Sequence, residues 1–412
     1  MPSDPVFRSR LRQVLALGVT QTIAWAGSWY LPAILAQPIA AELGLSASTV
    51  FGALSVSLIV MAVAGPPVGR AIDRRGGRGV LALANLVLAA GLVFLGLATN
   101  AIAVFAAWCV LGVGMAMGLY DVAFATLVRL HGAAARNPIT GVTLIAGFAS
   151  TVGWPFTALV AEQFGWREAC YAWAALNILV ALPLNLLCIP SASREGHGED
   201  RAASAGGAAN EMPKPGWSLP GQRRAFVLLA LFSAATAFVT SAMAAHLPGL
   251  LLAAGATTVA ALTAAALLGP AQVAARLAEF LAAHRFRFHP LLTARIATAL
   301  HPVGALVLGL FGGAPLAASG FAVLHGAGNG MITIARGTLP LAIFGAAGYG
   351  LLQGLLGVLA RAMQALAPYA FGLVLEGFGV RAAIGLSAGL SLAALAALFG
   401  VRARAPELPR QS

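Results

Sequence analysis

Arg276 and Glu279 lie three residues apart in the otherwise uncharged run GPAQVAARLAEF, residues 269–280. On a helix that spacing puts both on one face, about one turn apart. A guanidinium in apolar surroundings can hold an anion, and a carboxylate beside it can take up and release a proton. A proton on Glu279 would strengthen the grip of Arg276 on an anion, so the pair could couple two loads. The plainer account is a self-neutralising pair, offsetting part of the roughly 2.5–3.5 kcal/mol that an arginine costs at mid-membrane. Leucines would fill both positions without that cost, which favours the functional account.

Further polar groups stand in apolar runs. Arg361 has Gln364 one turn on and no acid nearby in sequence. Gln272 precedes Arg276 by one turn, and Asn329 follows His325 by one turn. His246, His325 and Tyr120 are further candidates for cargo or proton binding, because histidine changes charge near neutral pH. Each histidine could equally be a satisfied hydrogen-bonder between helices. Gln21, Trp25, Trp29 and Tyr30 form a polar-aromatic group that could line a cavity, although aromatics near span ends also serve as interfacial anchors. No catalytic constellation, metal-ligand spacing or phosphate-binding Gly-rich motif occurs, so no enzyme activity, metal, cofactor or ATP drive is expected.

These groups need elements that cross lipid. Of the 412 residues 59% are hydrophobic and 9% charged, against roughly 25% charged in a soluble domain. Twelve apolar runs are long enough to cross a bilayer as helices: about 14–36, 48–68, 79–98, 101–127, 139–161, 168–190, 224–252, 258–281, 291–310, 315–336, 351–375 and 381–401. Backbone groups in lipid must be bonded internally, so these runs are read as helices. The expected organisation is a cytoplasmic N-terminus over 1–13, a six-helix bundle over 14–190 and a flexible cytoplasmic linker over 191–222. A second six-helix bundle over 223–401 and a cytoplasmic tail over 402–412 complete it. With the N-terminus inside, twenty Lys and Arg fall on the cytoplasmic side and only Arg167 and Arg381 outside. The positive-inside rule therefore accounts for the net charge of +12, and no nucleic-acid partner is expected. Arg295, near the inner end of its span, is read as snorkelling. Cys109, Cys170 and Cys188 lie far apart inside apolar runs and read as small buried hydrophobes.

The two halves repeat. Residues 158–169 (ALVAEQFGWREA) and 372–383 (GLVLEGFGVRAA) agree at seven of twelve positions, at an offset of 214. The same offset carries Gly112, Gly114 and Met117 to Gly326, Gly328 and Met331, and an offset of 216 pairs Leu31-Pro32 with Leu247-Pro248. With six spans per half the repeats are parallel, related by an axis along the membrane normal.

Between the second and third spans runs Gly69-Arg70-Ala71-Ile72-Asp73-Arg74-Arg75-Gly76-Gly77-Arg78. With the twelve spans and the 6+6 repeat, this resembles the G-x-x-x-D-R-x-G-x-R signature of the major facilitator superfamily. The resemblance implies an all-α polytopic membrane protein with two pseudo-symmetric six-helix bundles around a central cavity. It implies secondary transport by alternating access, with Gly69, Asp73, Arg74, Gly76 and Arg78 latching the outward-facing state. Asp73 can accept from a helix N-terminus, and Asp121 could pair with Arg74 or Arg78. Many antiporters of the superfamily carry an arginine where this chain has Trp108, and the antiporter-like glycines of the fifth span (Gly141, Gly147, Gly153-Trp154-Pro155) are only partly present. The eighth span resembles the monocarboxylate-porter branch in Arg276, while the acid expected four residues earlier is Gln272.

The expected function is therefore proton-coupled transport of a small organic anion such as a monocarboxylate. Partners are the small-molecule substrate, protons and the lipid bilayer; the expected setting is a bacterial inner membrane, as a monomer with both termini cytoplasmic. Efflux of a drug or arsenical is the alternative, and a transporter-like membrane sensor the alternative of another class.

Overall fold

The computed structural model describes residues 5–191, 222–286 and 289–401. The proposed linker and C-terminal tail therefore lie almost wholly outside the described residues. The described residues are helical, with no strand among them. The helices are α1 (Pro5–Ala26), α2 (Pro32–Leu43), α3 (Ala47–Arg75), α4 (Gly77–Gly96), α5 (Ala101–Gly118), α6 (Tyr120–His131), α7 (Arg136–Ala146), α8 (Ala149–Phe164), α9 (Trp166–Leu176), α10 (Leu182–Cys188), α11 (Gln222–Ala253), α12 (Thr258–Phe286), α13 (Pro290–Phe311), α14 (Pro315–Phe344) and α15 (Tyr349–Gly400). Glycine at φ +80° interrupts α15 at Gly379, so that helix is two spans. Broken and merged pieces together make twelve spans among the described residues. Ile102, Val259 and Leu316, between 76 and 87% exposed, point outward where lipid would cover them.

Three spans read from sequence as continuous helices are interrupted. The first breaks at residues 27–31, the fourth at Leu119 and the fifth at Gly147–Phe148. Gly27, Gly118 and Gly147 stand at or beside the breaks, and glycine makes a helix interior cheap to leave. The sixth span holds a π-turn at Asn177–Ala181 just ahead of Pro183. The first helix also begins at Pro5, so Arg8, Arg10 and Arg12 ride its opening turns rather than a segment ahead of it. The second half keeps its spans whole: α11, α12, α13 and α14 run unbroken despite Pro248, Pro270, Pro302 and Pro340.

The repeat is visible in the backbone. Gly165 and Gly379, 214 apart, both turn at positive φ. Gly44 and Gly255 do the same after the first and seventh spans. There the offset is 211, and it recurs in the caps that follow: Ser46 accepts from Thr49 N and Thr257 from Ala260 N. Helix contacts repeat as well. Gly112 is packed on the carbonyl of Ser57, and Gly326 on that of Leu268, 211 residues further on. The Leu31-Pro32 and Leu247-Pro248 match does not extend to conformation: the first pair ends a break, the second lies inside α11.

Apolar cores form within each half. Leu341, Tyr349 and Ala365 of the second half reach into cores of the first. The halves meet most closely where α3 crosses the first part of α15. Gly65 and Gly69 face Gly350 and Gly354, backbone on backbone; a Cβ on Gly354 would stand 2.7 Å from the Gly65 carbonyl oxygen. This small-residue spacing, i and i+4 on both helices, is how helices approach closely without a hydrophobic driving force. Gly354→Leu is expected to hold the halves apart at this end. Cysteines introduced on α3 and α15 across the contact would cross-link in the parent background and fail to do so in the variant.

Candidate functional site

Asp73, the acid of the turn signature, lies at the end of α3. Its two carboxylate oxygens accept from the backbone N–H groups of Gly350 and Leu351, each at 2.8 Å, in the first turn of α15. Four N–H groups at a helix start have no partner within the helix, and a carboxylate there is favoured by the helix dipole. The expectation of a helix-terminus contact for Asp73 is met, and the terminus belongs to the opposite half. Arg129 donates to the Asp73 carbonyl at 2.6 Å. Gly76, at φ +80°, makes the turn into α4. Gly77 sits against Thr126, leaving no room for a side chain. Arg74 is exposed, Arg78 half-buried, and neither forms an ion pair among the described residues.

Asp121 departs from expectation. It pairs not with Arg74 or Arg78 but with Arg361, Nη2 to Oδ2 at 2.8 Å. The reason is geometric. Asp121 lies in the first turn of α6, just past the break at Leu119, and faces α15 rather than the turn after α3. Arg361 therefore has an acid 240 residues away, and it also donates to Gln364 Oε1 at 2.9 Å. The Arg336 guanidinium is within electrostatic reach of both and donates to the Ser233 carbonyl at 3.0 Å. Gly65, Gly69, Gly350 and Gly354 line a small cavity beside this pair.

Arg276 and Glu279 do not pair with each other. Glu279 is buried and binds Arg136, at the start of α7 in the other half, at 3.2 Å. Thr293 donates to the same oxygen at 3.4 Å, while the second oxygen, Oε2, is buried without a hydrogen-bond partner. Arg276 is 5% exposed, and no acid lies within ion-pair distance of it among the described residues. It reaches neutral oxygens only: Thr143 O at 3.1 Å, Gly330 O at 3.3 Å, Gln272 Oε1 and Thr333 Oγ1 both at 3.5 Å. Most of these are long for a charged donor.

The three helix breaks gather around Arg276. Its Nη1 lies against Gly147, at the break of the fifth span. Tyr30 and Tyr120, at the other two breaks, are within electrostatic reach of its guanidinium. Trp25 and Tyr120 pack at 4.9 Å between ring centroids, Trp25 and Trp29 at 5.9 Å, Trp25 and Tyr30 at 6.2 Å, and Tyr30 and Trp154 at 5.8 Å. Carbonyls at or near the breaks are met by side chains: Gly118 O by Gln21, Tyr30 O by the Trp154 indole and Thr143 O by Arg276. Irregular backbone at membrane depth is tolerated where it lies within protein or lines a cavity.

The remaining candidates have partners of their own, and of them Asn329 directly precedes Gly330, whose carbonyl Arg276 reaches. His246 bonds to the Pro368 carbonyl at 2.7 Å and packs on Phe371, which makes it an interhelical link. His325 stacks on His301 at 4.5 Å between α13 and α14. Asn329 accepts from Thr240 at 3.0 Å, tying α14 to α11. Arg295 donates to Leu398 O and lies over Phe399. It therefore caps the last span instead of snorkelling free. Trp108, in place of the antiporter arginine, is fully buried. All three cysteines are free, and no group of metal-ligating side chains stands together among the described residues.

Arg136 counts by sequence among the twenty cytoplasmic Lys and Arg, and in the structure it is an ion-pair partner. The repeat contains the signal. An offset of 214 carries Arg136 to Gly350, and 211 back from Glu279 is Val68, next to Gly69. The Arg136–Glu279 pair thus occupies the symmetry mate of the Gly69–Gly350 crossing.

A family description, Major Facilitator Superfamily, matches residues 17–323. Three solved structures share the fold. The human organic anion transporter MFSD10 (TETRAN) is 16% identical, with a TM-score of 0.70, over 96% of this chain and 100% of that one. FucP, the E.coli fucose:proton symporter, in its outward conformation is 13% identical at a TM-score of 0.72, over 96% and 100%. The proton:xylose symporter XylE is 15% identical at 0.70, over 93% and 95%. An uncharacterized 38 kDa protein in the 23S RNA operon of Thermoproteus tenax is 32% identical over 154 residues, 37% of this chain and 40% of that protein. The match therefore spans less than half the length of that relative.

The Asp121–Arg361 contact makes a prediction independent of cargo. Asp121→Asn leaves a buried guanidinium without its acid. The expected loss is about 1–3 kcal/mol, because Asp121 keeps a third of its side chain exposed. The double variant Asp121→Asn/Arg361→Gln should recover most of it in thermal unfolding in detergent.

Proposed function

Because the chain belongs to the major facilitator superfamily, and is therefore a membrane transporter rather than an enzyme, we propose that it carries a small organic anion across the bilayer together with protons. One observation supports the anion above all others. Arg276 is buried with its charge uncompensated, held only by neutral and mostly long contacts. A buried cation of that kind lacks a counter-charge, and an anionic cargo supplies it. The name of MFSD10, a human organic anion transporter, accords with this. That FucP and XylE are proton symporters accords with coupling to protons.

Glu279 is the proton site in this reading. It is buried, has one unpartnered oxygen and bridges the two halves through Arg136. A proton on Glu279 removes the negative member of that bridge and loosens the closed end. Asp73 on the α15 terminus and Asp121 on Arg361 hold the same end. The halves over 14–190 and 223–401 act as the two rocking bodies, and the end bearing Asp73 faces the cytoplasm, as the arginine distribution requires. The protein works as a monomer in a bacterial inner membrane. Drug or arsenical efflux drew on the glycines of the fifth span. Gly141 packs on Val14 and Gly153 on Ala26, so helix packing accounts for these two, while Gly147 stands at the break against Arg276.

Purified protein in liposomes tests both parts. Arg276→Gln is expected to lower affinity for transported carboxylates by roughly 10–100-fold, the worth of a charge-assisted contact. Unchanged uptake of every anion tried would remove the anion reading. Glu279→Gln is expected to keep substrate exchange while losing the response to an imposed pH gradient; a retained response would exclude Glu279 as the proton site.

A further inference from the structure

The surroundings of Arg276 bear on the kind of anion. The aromatic rings come from the three interrupted spans, and they sit where the helices break rather than at the span ends. Trp25 contacts Tyr30 and Tyr120, and Phe124 stacks on Tyr120 at 5.2 Å with the planes only 10° apart, which fixes the Tyr120 ring. The other pairs are tilted or edge-on, at 42° to 88°. The ring group is thus not closed by face-to-face stacking among its own members. Trp25 Nε1 is buried with no hydrogen-bond partner, a donor whose burial costs free energy until an acceptor arrives. Trp25 and Arg276 offer N–H donors, and Tyr30 and Tyr120 offer hydroxyls in the field of the same guanidinium. A ligand that suits this group presents acceptor oxygens at one end and a flat ring at the other.

Resting on the anion reading above, we infer that the cargo is an aromatic monocarboxylate: its carboxylate binds Arg276, with the Trp25 indole N–H as a further donor, and its ring packs among Trp25, Tyr30 and Tyr120. An aliphatic acid satisfies the charge but not the rings. Aromatic pairing adds to simple area burial, and the preference for a planar ring over a saturated one of equal carbon count is expected to be on the order of tenfold. The walls contribute packing and donors; no bond is made or broken.

Benzoate and cyclohexanecarboxylate separate the two ideas, since they share the carboxylate and the six-membered ring and differ in planarity. Isothermal titration of the purified full-length protein in detergent is expected to show benzoate binding about tenfold more tightly. Trp25→Leu is expected to abolish that preference and Trp25→Phe to keep most of it; Arg276→Gln is expected to weaken both acids together. Equal affinity for the two acids in the parent protein overturns the aromatic inference and leaves the anion reading standing. Failure of both acids and of other small carboxylates to bind overturns the anion reading itself. The parent-protein comparison needs no variant, so a Trp25 substitution that fails to fold does not remove the test.

Discussion

Two helices can lay backbone against backbone in lipid only where neither places side chains between them. The crossing of α3 and α15 meets that condition through Gly65, Gly69, Gly350 and Gly354. Much else at this end follows from it. Only at that separation can Asp73 reach the first amides of α15, and the same approach brings Arg361 onto Asp121. The symmetry-related crossing, α12 against α7, uses a different device. There the ion pair Arg136–Glu279 and the bond from Arg276 to Thr143 replace glycine contact. A pseudo-symmetric scaffold thus closes one end with two unlike joints, one steric and dipolar, the other ionic.

The buried charges fall into two classes by what they meet. Asp121 and Arg361, and Glu279 and Arg136, pair across the halves and are tied to the state in which the halves touch. Arg276 has no such mate. Leaving a charge unpaired in low dielectric is expensive, and it is centred among the three helix breaks, where backbone irregularity also has a cost. Both costs fall at the place proposed for the cargo.

Sequence periodicity and composition reveal the twelve apolar runs, the 214-residue repeat, the signature turn and the role of Asp73 as a helix-terminus acceptor. They single out Arg276, Glu279, Arg361 and Asp121 because charge is rare in this chain. They do not reveal who meets whom. Spacing of three suggested Arg276 with Glu279, yet both turned to other helices, because partners in a bundle are set by crossings that local spacing does not encode. The breaks at 27–31, 119 and 147–148 were hidden for a related reason. A glycine within an apolar run reads equally as a packing contact, as Gly112 proves to be, or as an interruption, as Gly147 does.

The unpaired charge of Arg276 has an electrical consequence. Moving a unit charge across the whole membrane field does work of about 2.3 kcal/mol per 100 mV. Any reorientation that carries Arg276 through part of that field is driven or opposed by the membrane potential in proportion to the distance covered. In the proposed cycle a bound monoanion cancels that charge while the proton on Glu279 leaves Arg136 uncancelled. The loaded and empty forms then carry the same net charge, and the membrane potential acts on both strokes alike.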